Sequence, residues 1–320
     1  MRTRSIGKSR LKLLGTQCSI FVNRVPDLSV RCGRLVLLTI CLLPLATLAH
    51  AEGRAECSVV QSAILARPVH YCAYLPASFD QDKARQFPVL YYLHGLGDNE
   101  QSLLNSGGWD LIEDLRRQGK IGDFVVLAPS GGHTFFLNSA DGKVRYEDFL
   151  TQEFMPQMEK KYRVEGGRRT RGITGVSMGG FGALRLAFKY PQQFAAVSAQ
   201  MPALIAEIPA NFASGGPGSP GSMMGDVFDS PVNLAYFERN NVFYFAKSDP
   251  ASELKRMKIY FNVGNNDDYG FEQGAEKLHQ LLDSRGIPNE FHIYPGRHDP
   301  QFAIRYFGDV VQFQWKGIGN

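Results

Sequence analysis

The chain is 320 residues long, 44% hydrophobic and 21% charged, proportions of a globular protein that exclude a disordered, collagen-like or disulfide-only chain. Its formal net charge of +4 comes from the first 51 residues, which hold eight Lys/Arg against one acid, Asp27; from Glu52 onward 27 basic and 30 acidic side chains give about −3. That balance leaves no basic footprint for nucleic acid.

In chain order, Arg31 and Arg34 come first, followed by an apolar run over residues 35–48 that ends in Ala49-His50-Ala51, and charge resumes at Glu52. This is the positive, apolar, small-x-small order of a secretory signal peptide. A retained membrane anchor is the competing reading, but Pro44 interrupts the run and it falls short of the ~18 residues that span hydrocarbon as a helix. Cleavage after Ala51 is therefore expected. Cys57 follows Arg-Ala-Glu rather than small apolar residues, which argues against a lipoprotein. The first 30 residues are long for such a signal and hold no second Met, so translation is expected to start near Val30. Residues 1–51 thus read as an N-terminal extension and signal peptide, and residues 52–320 as a single domain. The location implied is periplasmic or secreted, with no stable membrane span after cleavage.

Cys18, Cys32 and Cys41 leave with the leader. Cys57 and Cys72 lie on two β-rich runs, residues 57–64 and 69–75, that read as an antiparallel hairpin turning near Leu65-Ala66-Arg67. An even pair facing across a hairpin in an exported protein is expected to be bonded; the alternative is two small buried apolar residues.

Beyond the hairpin, short β-branched or aromatic runs alternate with helical stretches. The strands predicted are residues 87–93, 123–128, 171–174, 194–199, 258–263 and 290–294, and the helices 109–118, 146–161, 178–190, 271–285 and 301–315. This alternation predicts an α/β fold with a mostly parallel central sheet and helices on both faces. One segment breaks the rhythm: residues 214–222, Ser-Gly-Gly-Pro-Gly-Ser-Pro-Gly-Ser, carry too little apolar surface to offset their ordering entropy. It reads either as the rim of a pocket or as a tolerated insertion.

Gly175-Val-Ser177-Met-Gly179 places G-x-S-x-G between a predicted strand and a predicted helix. That context raises a serine oxygen above the sheet edge on a tight turn, with glycines relieving the crowding. A serine hydroxyl is a weak nucleophile, so a histidine must take its proton and an acid must orient that histidine. Of the three histidines downstream, His279 falls inside a predicted helix and His292 inside a strand, whereas His298 stands on a loop just past the last strand. The acid is expected at the end of the preceding strand, where Asp267 and Asp268 are adjacent. Neighbouring side chains on an extended segment point opposite ways, so only one can face the imidazole, and spacing alone leaves the choice open. Asp299 adjoins His298 and would have to fold back on its own neighbour. Charge developing on the attacked carbonyl needs preorganised amides: Met178 supplies one by position, and the turn His94-Gly-Leu-Gly97 is suited to supply the other. His94 precedes the serine in the chain and reads as a loop-shaping residue. His133 retains only a place as a pocket-lining candidate.

Taken together, Tyr91-Tyr-Leu-His-Gly-Leu-Gly97, Gly175-Val-Ser-Met-Gly-Gly180, Val263-Gly-Asn-Asn-Asp267 and Gly296-Arg-His-Asp299 resemble the esterase D-like family of α/β-hydrolases. That family includes feruloyl esterases, S-formylglutathione hydrolases and mycolyltransferases. The resemblance covers nearly all of residues 57–320. It implies an α/β-hydrolase fold and a Ser-His-Asp acyl-transfer enzyme without metal or organic cofactor, with nucleophile Ser177 and base His298. Its G-x-x-D pattern, read from Gly264, selects Asp267, and its oxyanion amides fall on Leu96 and Met178. Phe135, Phe136 and Asn138 fall on a loop that resembles the family's substrate side; core packing is the alternative for the two aromatics. Pro300 stands where the family often has an aromatic, and residues 214–222 match nothing in it. The expected partner is a small-molecule or carbohydrate ester, and export disfavours a cytosolic glutathione thioester. Transfer of the acyl group to a sugar hydroxyl, and a catalytically silent binding module on the same scaffold, are the competing functions.

Overall fold

The computed structural model describes residues 52–208, 224–248 and 251–319. Residues 1–51, on which the signal-peptide expectation falls, and residues 214–222 lie outside them. Eight strands form one sheet in the order β1-β2-β4-β3-β5-β6-β7-β8. β1 (Arg54–Ser62) and β2 (Arg67–Leu75) make an antiparallel hairpin, and β2 pairs antiparallel with β4 (Val125–Pro129). The remaining pairings, among β4, β3 (Val89–Leu93), β5 (Arg171–Val176), β6 (Ala196–Gln200), β7 (Lys258–Gly264) and β8 (Glu290–Tyr294), are all parallel. Every strand the sequence predicts is present, with boundaries shifted by two residues or fewer for the six parallel-sheet segments. In the hairpin register Cys57 stands opposite Cys72, and the two are joined by a disulfide.

Successive residues of a strand point to opposite faces, and here both faces are buried. Val89, Tyr91 and Leu93 of β3 enter one hydrophobic cluster, while Leu90 and Tyr92 enter the other. The first cluster is covered by the helices Met178–Lys189 and Phe271–Ser284 and by the helical stretch from Tyr146 to Lys161, the second by Gly108–Arg117 and Pro300–Ile318. The stretch predicted as a helix over 146–161 contains a π-helical turn, Phe149–Phe154, that periodicity does not show. Between β6 and β7, where no element is predicted, the described residues include the short helices Gly225–Phe228, Leu234–Asn240, Val242–Lys247 and Ala251–Lys255. Asn233 and Asn241 cap two of them, accepting from the N–H groups of Tyr236 and Phe243. Among the described residues no helix is long and apolar enough to cross a membrane.

This topology gathers the loops after β3, β5, β6, β7 and β8 at the carboxyl ends of the parallel strands, where open α/β sheets place their ligands.

Candidate active site

β5 ends at Val176, and Ser177 forms the turn into the helix Met178–Lys189 with φ 55° and ψ −113°. A left-handed φ is strained for a residue with a Cβ, and the surroundings hold it there. Ser177 N–H donates to Gln200 O at 2.9 Å, while Ser177 O accepts from Phe181 N–H at 2.9 Å and Ala203 N–H at 3.1 Å. The motif glycines are required by contact: a Cβ on Gly175 would overlap the Gly179 backbone, and one on Gly179 would overlap the carbonyls of Leu93 and His94.

His298, on the loop after β8, lies with Nε2 2.8 Å from Ser177 Oγ and Nδ1 2.7 Å from Asp267 Oδ2. The Asp267 side chain is fully buried and that of His298 only 10% exposed. Nδ1–H donates to the carboxylate, which leaves Nε2 free to accept the serine proton. The other carboxylate oxygen of Asp267 accepts from Tyr269 N–H at 3.0 Å and Phe271 N–H at 3.4 Å, so the acid is fixed from both sides.

Asp268 points the other way. Its carboxylate accepts from the Arg297 guanidinium and, at 3.3 Å, from His298 N–H, bracing the histidine loop from outside. The hydrogen bonds from Arg297 hold its carboxyl below the usual carboxylate range. Asp299 serves neither purpose: it caps the Pro300–Ile318 helix, accepting from Phe302 N–H at 2.8 Å, with Pro300 in the first turn. The proline that departs from the family pattern is thus a helix-start residue.

His94 is buried, donates from Nδ1 to Gly95 O at 2.7 Å and accepts at Nε2 from Gly131 N–H at 2.8 Å. Burial lowers its pKa, consistent with the neutral ring those bonds require. It ties the Gly95-Leu96-Gly97 turn to the loop after β4, the loop-shaping role read from sequence. His279 and His292 lie away from the serine, the first against Asn289 and the second against Glu290.

Ser177 and His298 open onto a cleft of about 1170 Å³ whose walls include Leu96, Met178, Phe135, Met201, Leu204, Ile205 and Met224. Two sequence expectations need correction here. Phe136 is 0% exposed and packs edge-on against His94 and Tyr146, so it belongs to the core. Asn138 lies outside the cleft: its side-chain oxygen accepts from Asp148 N–H, and its carbonyl from Tyr236 Oη–H. Phe135 does line the cleft, as does His133. Phe135, Phe136 and Met201 share the positive φ of Ser177, which places backbone strain around the site. Sequence reasoning passed over Tyr269 and Phe271, whose rings stand edge-on to His298 at 4.9 and 5.3 Å. Their position directly after the Asp267-Asp268 pair was the available signal. Among the described residues no group of three or more His, Cys, Asp or Glu side chains is arranged to hold a metal ion.

A family model described as "Putative esterase" matches residues 62–304. The chain belongs to this esterase family. An endo-1,4-beta-xylanase/feruloyl esterase of Xylanibacter ruminicola is 33% identical over 128 residues, 38% of this chain and 18% of that protein. An esterase of Mycobacterium tuberculosis is 30% identical over 256 residues, 73% of this chain and 54% of its own length. The chain therefore spans about half the length, or less, of these curated relatives. Among solved structures, a ferulic acid esterase matches with a TM-score of 0.70 at 24% identity, over 83% of this chain and 98% of that one, and it shares the α/β-hydrolase fold.

Proposed function

We propose that the protein is an exported serine carboxylic-ester hydrolase that works through an acyl-enzyme. The observation that carries this reading is the continuous row from Ser177 Oγ through the His298 ring to Asp267, open to a cleft at the serine end and buried at the acid end. Ser177 Oγ bonds to the ester carbonyl carbon as its proton passes to His298 Nε2. Asp267 stabilises the imidazolium, and the carbonyl electron pair moves onto oxygen, facing the amides of Leu96 and Met178. Collapse breaks the carbon–oxygen bond to the alcohol, which leaves with the proton from Nε2. Water then repeats the sequence on the acyl-serine, releasing the acid and restoring Ser177.

Membership of the esterase family supports the chemistry. The relatives named feruloyl and ferulic acid esterases support an aromatic acyl group, for which Phe135, Met201, Leu204, Ile205 and Met224 provide an apolar wall. The Cys57–Cys72 bridge and the signal-like order of residues 31–51 support export. Replacing Ser177 with Ala is expected to lower turnover of an aryl ester by about 10⁴-fold or more while leaving the circular dichroism spectrum unchanged. Wild-type turnover by a folded Ser177→Ala protein would reject the reading.

A further inference from the structure

The turn that presents the Leu96 amide carries a charge the mechanism does not use. Asp98 lies two residues past Leu96, and its N–H donates to Gly95 O at 3.2 Å to close the turn. Its side chain is exposed and makes no hydrogen bond or ion pair among the described residues, so the turn forms without the carboxylate. Gly95, Asp98 and Ser177 all line the cleft. A side chain beginning at Gly95 would meet Asp98 Oδ2 at 3.7 Å and Ser177 Cβ at 3.8 Å, ordinary contact distances. The space between carboxylate and nucleophile is therefore open, and the two distances together set them at most about 7.5 Å apart.

Of the other charged groups on these walls, Asp268 is held by Arg297, Asp299 caps a helix and His133 stands 3.6 Å from Asp226, while Glu207 and Lys277 are opposite in sign. Among the described residues, Asp98 is thus the uncompensated charge next to the nucleophile. A fixed negative charge there opposes the build-up of charge on the attacked carbonyl oxygen, a cost that falls on every neutral or anionic ester. A cation in the substrate reverses the effect, because it is attracted both to the carboxylate and to the forming oxyanion. An ammonium two to four bonds from the carbonyl carbon reaches the open space. Tyr92 adds a neutral aromatic wall: burial pushes its phenol up to about 12, with the Asp98 charge adding to the rise, so it keeps its proton and its ring attracts cations.

We infer that Asp98 is a specificity-determining residue that selects esters carrying an ammonium group close to the ester bond, on either the acyl or the alcohol side. The inference rests on the acyl-enzyme reading and adds a charge preference to it.

The test uses two pairs of esters that differ in charge and hardly in shape. In one pair the cation belongs to the alcohol: the choline ester of a hydroxycinnamic acid against its 3,3-dimethylbutyl ester. In the other it belongs to the acyl group: alanine methyl ester against methyl isobutyrate. Asp98→Asn keeps the shape and removes the charge. It is expected to lower the cationic-to-neutral ratio of kcat/KM about fivefold in at least one pair, the cationic ester slowing while the neutral one speeds up. The pair that responds tells which half of the substrate bears the ammonium. In the wild-type protein the same ratio should fall as salt rises from ~0.01 to ~0.5 M, a readout independent of how the variant folds. Equal ratios in wild type and folded Asp98→Asn for both pairs, or a wild-type ratio indifferent to salt, with the neutral esters still hydrolysed, would overturn the selection and leave the esterase reading standing. Hydrolysis of none of the four esters by the wild-type protein would overturn both.

Discussion

Asp267 and Asp268 are chemically identical neighbours, and geometry alone separates their duties. The first accepts from His298 Nδ1–H in a fully buried position; the second, at the surface, accepts from Arg297 and from the backbone of the histidine loop. An amide at 267 would present an N–H to Nδ1 and move the imidazole proton to Nε2, where it blocks acceptance from Ser177. Asp267→Asn is therefore expected to lower kcat/KM for an aryl ester by about 10³ to 10⁴, whereas Asp268→Asn, whose amide oxygen still accepts from His298 N–H, should cost about tenfold or less. Steady-state hydrolysis of the two variants checks this, and equal losses would contradict it. The sequence showed that one carboxylate of the pair had to face the histidine, because side chains alternate on an extended segment; which one it was became legible only through the family's G-x-x-D spacing. For Phe136 the alternative of core packing holds, and spacing could not decide it: Phe135 and Phe136 adopt positive φ in succession, so strand alternation does not say which of them faces the cleft.

At the scale of elements, the β-rich runs and the long amphipathic helices were legible because each repeats an apolar pattern over several turns or pairs. The short helices described between β6 and β7 were not, since elements of four to seven residues carry too little periodicity; the capping residues Asn233 and Asn241 were the signal available. What joins this segment to the catalytic scaffold was also invisible in one dimension. Arg185, on the helix that follows Ser177, is almost fully buried and donates to Glu147 at 2.6 Å and to the carbonyl of Asn240 at 3.0 Å. Burial works to raise the Glu147 carboxyl, but Arg185 and the hydrogen bonds from Lys189 and Tyr190 outweigh it and bring the pKa below the usual glutamate value. A depressed carboxyl contributes stability above its unfolded pKa and loses it as pH falls through the folded one. Arg185→Met, which removes the buried cation and leaves Lys189 and Tyr190 to hold the Glu147 carboxylate, is expected to lower stability by about 3 kcal/mol at neutral pH. The difference from wild type should shrink as pH falls through the depressed pKa of Glu147. Urea titrations at neutral and acidic pH measure it, and a pH-independent difference would contradict the account.

For the whole molecule, the described residues, all from Glu52 onward, fall within one compact unit. The excess basic charge lies in the first 51 residues, the segment proposed above as a secretory leader. Protein recovered from the extracytoplasmic fraction is expected to begin at Glu52 on N-terminal sequencing; an intact residue 1–51 segment there would contradict export by cleavage after Ala51. The sheet order could not be read from the chain, because β4 lies between β2 and β3 and only contacts between distant segments specify that insertion. Yet the order is what brings the ends of β5, β7 and β8 close enough for Ser177, Asp267 and His298 to meet. The most direct test of that meeting is peptide mapping after exposure to a fluorophosphonate. One adduct per chain on Ser177, with loss of ester hydrolysis in proportion and much slower labelling in His298→Ala, is the predicted result. Full hydrolytic activity in protein that carries the adduct on Ser177, or inactivation with the adduct at another residue, would contradict it.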